Sequence, residues 1–136
     1  AYISEYLGLP MGYVRSGNKD HGRQNKIEGH YEKGDKVVVV EDLISTGKSS
    51  IEVVNSLIEA GVEVIGCVAI FSYGFDEAKA QFDSVNVPYY SLANFNNLVK
   101  VAVEEGYIEQ EDLEYFCKIL DIMKENLQEE KETNNA

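Results

Sequence analysis

Two apolar stretches separated by one amphipathic segment constrain the fold of this chain more than any other feature. Residues 36–41 contain four consecutive valines, and residues 62–71 are almost entirely apolar. Both stretches are typical of strands that are buried on both faces of a parallel sheet. Between them, apolar residues recur at helical spacing over residues 49–60, and Gly61 follows as a helix stop. The pattern predicts a strand–helix–strand unit with a right-handed connection.

Weaker patterns extend this unit in both directions. They predict a helix at 1–7, a strand at 11–15, a helix at 77–82, a strand at 87–90, and helices at 91–105 and about 110–127. Residues 1–128 are therefore expected to form one α/β domain, an open and mainly parallel sheet flanked by helices, with a C-terminal helical extension. The polar residues 129–136 are expected to be a flexible tail. Because the chain starts in what reads as the second half of a helix, we expect an N-terminal portion of the domain to be absent.

The distribution of charge narrows the class of partner. The net charge is −12, which argues against general nucleic-acid binding, yet six of the twelve basic residues lie between Arg15 and Lys36. A short cationic segment in an acidic protein suits a small, highly charged anion. The sequence has no apolar run long enough for a membrane span and no secretory pattern, so we expect a cytoplasmic protein. Cys67 and Cys117 stand in apolar surroundings, and both are expected to be buried core residues.

A segment rich in acidic and small residues joins the first strand to the helix. It contains two acids (Glu41, Asp42), two apolar residues (Leu43, Ile44), and then Ser45, Thr46, Gly47, Lys48 and Ser49. The Gly-Lys-Ser sequence is also the end of a nucleotide-binding P-loop, but Asp42 occupies the position of that loop's first glycine. A carboxylate there would repel the phosphates, which argues against a nucleoside triphosphate.

The same segment fits a sugar monophosphate. Backbone N–H groups at a helix N-terminus, together with Ser and Thr hydroxyls, form a site for an anion, and Gly47 permits a close backbone approach. Adjacent carboxylates are costly to crowd together, so Glu41 and Asp42 are expected to meet ribose hydroxyls or a metal. Ligands of open α/β sheets bind at the carboxyl ends of the strands, which is where this segment lies. The alternative is a surface acidic pair beside an ordinary capped helix.

Two segments resemble known families. Residues 37–49 resemble the phosphate-binding signature of the type I phosphoribosyltransferases, which bind 5-phosphoribosyl-1-pyrophosphate. Residues 13–29 resemble the mobile catalytic loop of the orotate phosphoribosyltransferases, with Arg15, Lys19, His21 and Gly22 at that family's spacing. The resemblance extends more weakly to about residue 125. It implies the type I phosphoribosyltransferase (Rossmann-like) fold and a glycosyltransferase, more narrowly a pentosyltransferase, that acts in pyrimidine biosynthesis.

The resemblance also implies residue roles. Orotate would displace pyrophosphate from the ribose to give orotidine 5′-monophosphate. The acids Glu41 and Asp42 would hold the ribose hydroxyls and favour positive charge on the sugar. The catalytic residues would be Asp42 and the loop residues Arg15, Lys19 and His21. Arg15, Lys19 and His21 would close over the pyrophosphate. The 5′-phosphate would lie against the segment that follows the acids, where Ser45 would also reach orotate; the substrate-binding residues there are Leu43, Ile44, Ser45, Thr46, Gly47, Lys48 and Ser49.

The implied cofactor is Mg²⁺, held mainly through the substrate with no direct protein ligand assigned. The implied assembly is a homodimer in which the mobile loop acts across the interface. Ser72 and Tyr73 stand where many orotate enzymes carry an arginine that grips the base, so the sequence specifies ribose-phosphate binding better than the choice of base. Two alternatives stay open at this point: a purine phosphoribosyltransferase, and a regulatory module that binds phosphoribosyl pyrophosphate or a nucleotide without catalysis.

Overall fold

A computed structural model of the chain describes residues 1–15 and 26–135. The predicted strand–helix–strand unit is present within it as the third strand, the second helix and the fourth strand. In chain order the elements are α1 (Tyr2–Leu7), β1 (Gly12–Arg15), β2 (Lys26–Gly29), β3 (Lys36–Ile44), α2 (Lys48–Glu59), β4 (Glu63–Ser72), α3 (Asp76–Ser84), β5 (Tyr89–Asn94), α4 (Phe95–Glu104) and α5 (Gln110–Asn135).

The main sheet is parallel, with its strands in the order β3-β4-β5. Glu41 of β3 is in register with Ala69 of β4, and Ala69 is in register with Ser91 of β5. The parallel sheet flanked by helices confirms the predicted fold class. Because the strands run the same way, the loops that follow them lie together at one edge of the sheet.

The hydrophobic core lies between one face of this sheet and the helices α2 and α3. Val54 of α2, Cys67 of β4 and Phe82 of α3 are all buried within one apolar cluster. The ring of Phe82 stacks on that of Tyr89 of β5, with 4.6 Å between the ring centroids. Since burial of a side chain of this size contributes about 1.5–3 kcal/mol, the contact fixes α3 against the sheet.

The opposite face of the sheet is also apolar, but it is open to solvent in the described part of the chain. Val40, Ile70 and Leu92 lie on it, with 54%, 60% and 80% of their surface exposed. The prediction that the valine-rich strand is buried on both faces was therefore wrong for the described residues. The physical reason is that α2 and α3 both pack against the same face of the sheet.

A two-stranded antiparallel hairpin precedes the sheet. β1 pairs with β2, so that Gly12 faces Gly29. A side chain at Gly29 would place a Cβ atom only 2.6 Å from the Cα of Gly12, and only glycine fits this close approach. The sequence predicted β1 but not β2, because residues 16–36 read as one long polar loop.

The C-terminal elements begin and end later than expected. β5 continues to Asn94, so the helix predicted from residue 91 begins at Phe95 as α4. The side chain of Asn94 accepts a hydrogen bond from the N–H of Asn97 at 2.9 Å, which caps α4 and sets its start. α5 continues to Asn135, past the predicted end near residue 127. The flexible tail at residues 129–136 stays a prediction.

The two cysteines have different environments. Cys67 is buried in the core, as predicted. Cys117 is exposed, so its predicted burial was wrong. It lies on α5 beside the stripe that buries Leu120, rather than on that stripe. Among the described residues, no helix is both long and apolar enough to cross a membrane.

Candidate functional site

The segment between β3 and α2 lies at the carboxyl end of the parallel sheet, as the sequence predicted. At its start, Ile44 is fully buried and is in register with Ser72 at the end of β4. The backbone carbonyl of Ile44 accepts a hydrogen bond from the N–H of Tyr73 at 3.1 Å. The segment therefore begins from a backbone position that the neighbouring strand holds in place.

Gly47 sets the direction in which the segment enters α2. It is the residue before the first helical turn, and its φ of +79° belongs to the left-handed region that favours glycine. Its carbonyl accepts the first hydrogen bond of the helix, from the N–H of Ile51 at 2.9 Å. The N–H groups of the first turn, beginning at Lys48, therefore point out of the helix end, where the helix dipole favours an anion.

Small polar side chains surround this helix end. Ser45, Lys48 and Ser49 are exposed, and Thr46 is half-buried. The Thr46 hydroxyl oxygen accepts a long hydrogen bond from the backbone N–H of Lys48, with 3.5 Å between the two heavy atoms. Hydroxyls, backbone N–H groups and one ammonium group therefore lie within six residues. This combination is suited to bind a phosphate.

Ser50, in the first turn of α2, was not among the predicted site residues. Its side chain is 1% exposed, and its hydroxyl has no hydrogen-bond partner within the described parts of the chain. The hydroxyl faces the core side of the helix rather than solvent. Ser49 and Ser50 are adjacent and chemically identical, so the pattern alone could not show that Ser49 is exposed and Ser50 buried.

The two adjacent carboxylates at the end of β3 have different surroundings. Glu41 is half-buried and lies two residues after the buried Val39, on the core face of β3. Burial, with a smaller contribution from the charge of Glu41, raises the pKa of the nearby Cys67 thiol. Asp42 is exposed, and its carboxylate accepts a hydrogen bond from the N–H of Leu43 at 2.7 Å. Successive side chains of a strand point to opposite faces, which explains the separation. Of these two acids, Asp42 is the one whose carboxylate is openly accessible.

Arg15 lies on β1 of the hairpin and has a partner there. Its guanidinium is 4.0 Å from a carboxylate oxygen of Glu28 on β2, and 71% of the side chain is exposed. The hydroxyl of Tyr13 donates a hydrogen bond to the other oxygen of Glu28. That hydrogen bond, with the nearby negative charge, raises the pKa of Tyr13. Lys19 and His21, the other predicted residues of this loop, lie outside the described residues.

A shallow hollow opens between the end of β4, β5 and the start of α4. Its volume is about 600 Å³, and Ser72, Tyr73, Asn94 and Lys100 are among its lining residues. The hydroxyl of Ser72 accepts a hydrogen bond from the N–H of Gly74 at 3.0 Å, and the ring of Tyr73 stacks on that of Phe75. Ser72 and Tyr73 are thus held in place by local contacts.

Comparison with known proteins decides the family. The model of the phosphoribosyl transferase domain matches residues 2–105, well over half of the chain. The chain belongs to the phosphoribosyl transferase domain family. The match includes β3, the segment that follows it and α2, so the site described above lies within the family's domain.

Several relatives that this phosphoribosyl transferase domain matches are orotate enzymes. Over 114 residues the chain is 58% identical to the orotate phosphoribosyltransferase of Staphylococcus haemolyticus (strain JCSC1435). The match covers 84% of this chain and 56% of the relative. The chain therefore spans little more than half the length of the curated relatives that it matches.

Solved structures agree with this relationship. The crystal structure of orotate phosphoribosyltransferase from Aeropyrum pernix matches with a TM-score of 0.67 and 27% identity, over 79% of this chain and 58% of that chain. The Mycobacterium tuberculosis H37Rv enzyme, in complex with 5-phospho-α-D-ribosyl 1-diphosphate, matches with a TM-score of 0.55 and 27% identity, over 66% of this chain and 50% of that chain. Both confirm the predicted phosphoribosyltransferase fold.

Proposed function

We propose that this chain is part of an orotate phosphoribosyltransferase of pyrimidine biosynthesis. The reaction transfers the 5-phosphoribosyl group from phosphoribosyl pyrophosphate to orotate and gives orotidine 5′-monophosphate and pyrophosphate. One observation carries the proposal: β3 carries Glu41 and Asp42 close to its carboxyl end at Ile44 and leads through Gly47 into the N-terminus of α2. The similarity to named orotate enzymes supports orotate as the base.

The 5′-phosphate would bind where α2 begins. Backbone N–H groups of the first turn and the hydroxyls of Ser45, Thr46 and Ser49 would donate hydrogen bonds to its oxygens. Lys48 would add a positive charge from an exposed position. These groups hold the non-reacting end of the substrate, so their contribution is to fix the ribose relative to the incoming base.

The reacting end of the ribose would lie nearer to the carboxylates. Loss of pyrophosphate leaves positive charge on the sugar, and a negative carboxylate nearby favours that charge. Asp42 is suited to this role because it is exposed at the strand end, and its oxygens can accept hydrogen bonds from ribose hydroxyls. Glu41 lies closer to the core, where it would act on the ribose from the side of the sheet.

Mg²⁺ is proposed as the cofactor, bound mainly through substrate oxygens. The described residues contain no cluster of three or more His, Cys, Asp or Glu side chains that could enclose a metal. Mg²⁺ commonly keeps several waters and takes few protein ligands. The ion would supply neutralisation of the negative charge on pyrophosphate.

Three further features are proposed on the resemblance of residues 13–29 to the orotate family. Arg15, Lys19 and His21 would close over pyrophosphate, the protein would be a cytoplasmic homodimer, and the loop would act across its interface. Analytical ultracentrifugation tests the dimer. Lys19→Ala tests the role of the loop, because a catalyst should lose rate far more than affinity, whereas a sensor would change only in affinity.

A calorimetric titration with orotidine 5′-monophosphate, beside AMP and GMP under the same conditions, tests the proposed function. We expect the orotidine nucleotide to bind preferentially. Preference for a purine nucleotide would show that the base assignment is wrong and the phosphate site right. Failure of all three nucleotides to bind would overturn the proposal for this chain.

Two lysine variants make the same titration specific for the site. Lys48→Gln removes the charge at the start of α2. Lys36→Gln removes a charge at the amino end of β3, at the opposite end of the strand from the segment that leads into α2. We expect Lys48→Gln to weaken binding and to reduce its dependence on salt, because screened charge–charge attraction is lost. The control Lys36→Gln should change neither property.

A further inference from the structure

Helix α3 packs against the segment that precedes α2. The contacts come from Ala78, Gln81 and Phe82, which lie on one face because residues three and four apart in a helix are neighbours. A Cβ atom at Gly47 would lie 3.3 Å from the Cα of Ala78 and 3.5 Å from the ring of Phe82. The segment therefore lies directly against the surface of α3.

Gln81 makes a polar contact between α3 and this segment. Its side-chain amide donates a hydrogen bond to the backbone carbonyl of Thr46, with 3.1 Å between Nε2 and the oxygen. The two residues are 35 positions apart in the chain, and the contact is partly buried. A backbone carbonyl in the candidate phosphate site is thus held by a side chain that the sequence did not single out.

This hydrogen bond fixes the orientation of a peptide plane. In a trans peptide the carbonyl and the following N–H point in opposite directions. Because the Thr46 carbonyl points to α3, the N–H of Gly47 points away from α3. The next peptide is fixed as well, since the Gly47 carbonyl accepts from Ile51. Its N–H, on Lys48, points out of the helix end.

We propose that Gln81 is a positioning residue for the phosphate-binding segment. By holding the Thr46 carbonyl against α3, it directs the N–H of Gly47 to the side where the phosphate binds. Without this donor the Thr46–Gly47 peptide is free to rotate, and a carbonyl oxygen facing the phosphate repels it. The inference rests on the proposed function, because it takes the anion at this helix end to be the 5′-phosphate.

The effect should be on ligand binding rather than on folding. Gln81 is half-buried at the surface of α3. Its neighbours on the helix, Ala78 and Phe82, are buried and pack α3 against the core. Gln81→Met keeps the length of the side chain and removes the donor. Gln81→Glu keeps the shape and places a carboxylate against the carbonyl. Gln110→Met, at the exposed start of α5, is the matched control.

Calorimetric titration of the full chain with inorganic phosphate and with ribose 5-phosphate tests the proposal. We expect Gln81→Met to bind both ligands about three- to tenfold more weakly, the equivalent of one lost hydrogen bond, and Gln81→Glu more weakly still. Gln110→Met should stay within about twofold of the wild type. The amide proton resonance of Gly47 should shift in the ligand-free Gln81→Met variant, and the thermal midpoint should stay close to that of the wild type.

The outcomes separate two failures. A wild-type chain that binds neither ligand overturns the proposed phosphate site, and the role of Gln81 with it. A wild type that binds, with Gln81→Met binding equally well, overturns the role of Gln81 alone. Weaker binding accompanied by an equal change in Gln110→Met would also contradict it, because the loss would then not be specific to the contact with Thr46.

Discussion

The carboxylate of Asp42 accepts a hydrogen bond from the backbone N–H of Leu43 at 2.7 Å. Asp42 lies two residues before the end of β3, and strand alternation places its side chain on the side opposite to that of Glu41. Two acids that are adjacent in sequence are therefore separated in space, and their charges do not compete for one position. The separation leaves Asp42 open to solvent, while Glu41 lies near the core.

Asp42→Asn should weaken the binding of ribose phosphates without unfolding the protein. Asparagine keeps an oxygen that can accept from Leu43, but it removes the negative charge that strengthens hydrogen bonds from ribose hydroxyls. Loss of a charge-assisted hydrogen bond predicts a decrease in affinity of about tenfold to a hundredfold. Calorimetry with orotidine 5′-monophosphate measures the change.

Asp35→Asn is the control for this substitution. The carboxylate of Asp35 also accepts a hydrogen bond from a backbone N–H, that of Glu32 at 2.8 Å, but Asp35 lies before the amino end of β3. The affinity of the Asp35→Asn protein for the nucleotide should equal that of the wild type. Equal affinity of Asp42→Asn and wild type would show that the acid does not meet the sugar.

Gly47→Ala should destabilise the protein more than Gly34→Ala. Both glycines have positive φ, +79° and +89°, so alanine strains the backbone at either site by about 1–2 kcal/mol. Only at Gly47 would the new methyl group press on α3, whereas Gly34 has open space around its Cβ position. Overpacking adds about 1–3 kcal/mol. Urea denaturation of both variants measures the difference, and equal losses would contradict the tight contact with α3.

The sequence was sufficient to predict those features of the candidate site that lie close together in the chain. The strand, the acids, the small residues and the helix follow one another within residues 36–60, and each has a pattern that is set by near neighbours in the chain. The fold class followed from the same unit, because two apolar strands joined by a helix favour a parallel sheet.

Long-range features were beyond prediction from the sequence. Four consecutive valines do not show which face of β3 is covered; that depends on where α2 and α3 pack. The contact of Gln81 with Thr46 joins residues that are far apart in sequence, and a glutamine on a helix is ordinarily a surface residue. The alternation of Ser91, Leu92 and Ala93 was too short to show that β5 continues to the cap at Asn94.

Phe82→Ala and Leu92→Ala should differ sharply in their effect on stability. Phe82 is fully buried between α3 and Tyr89, so its removal leaves a cavity and should lower the free energy of unfolding by about 3–5 kcal/mol. Leu92 lies on the open face of the sheet, and Leu92→Ala should stay within about 0.5 kcal/mol of the wild type. Denaturant titration at low protein concentration measures both. A large loss for Leu92→Ala would show that this face is covered in solution.

Cys67 should make the stability of the protein fall at alkaline pH. Burial, with a smaller contribution from the charge of Glu41, raises the pKa of its thiol from 9.0 to about 12. Between these values the folded protein keeps the thiol proton while the unfolded chain releases it. The stabilisation is therefore complete below about pH 9 and is lost as the pH rises, by about 1.4 kcal/mol per pH unit.

The comparison of two cysteine variants isolates this effect from the lysines and tyrosines that also titrate in alkali. The free energy of unfolding, measured by urea denaturation from pH 8 to about pH 11, should fall more steeply for the wild type than for Cys67→Ala. Cys117→Ala should keep the steeper slope of the wild type, because Cys117 is exposed on α5 and lies outside the core that surrounds Cys67. Equal slopes for the wild type and Cys67→Ala would contradict the prediction, because the thiol of Cys67 would then ionise in the folded protein as readily as in the unfolded chain. The packing of α2 and α3 over β4 would have to be looser than the contacts of Val54 and Phe82 indicate.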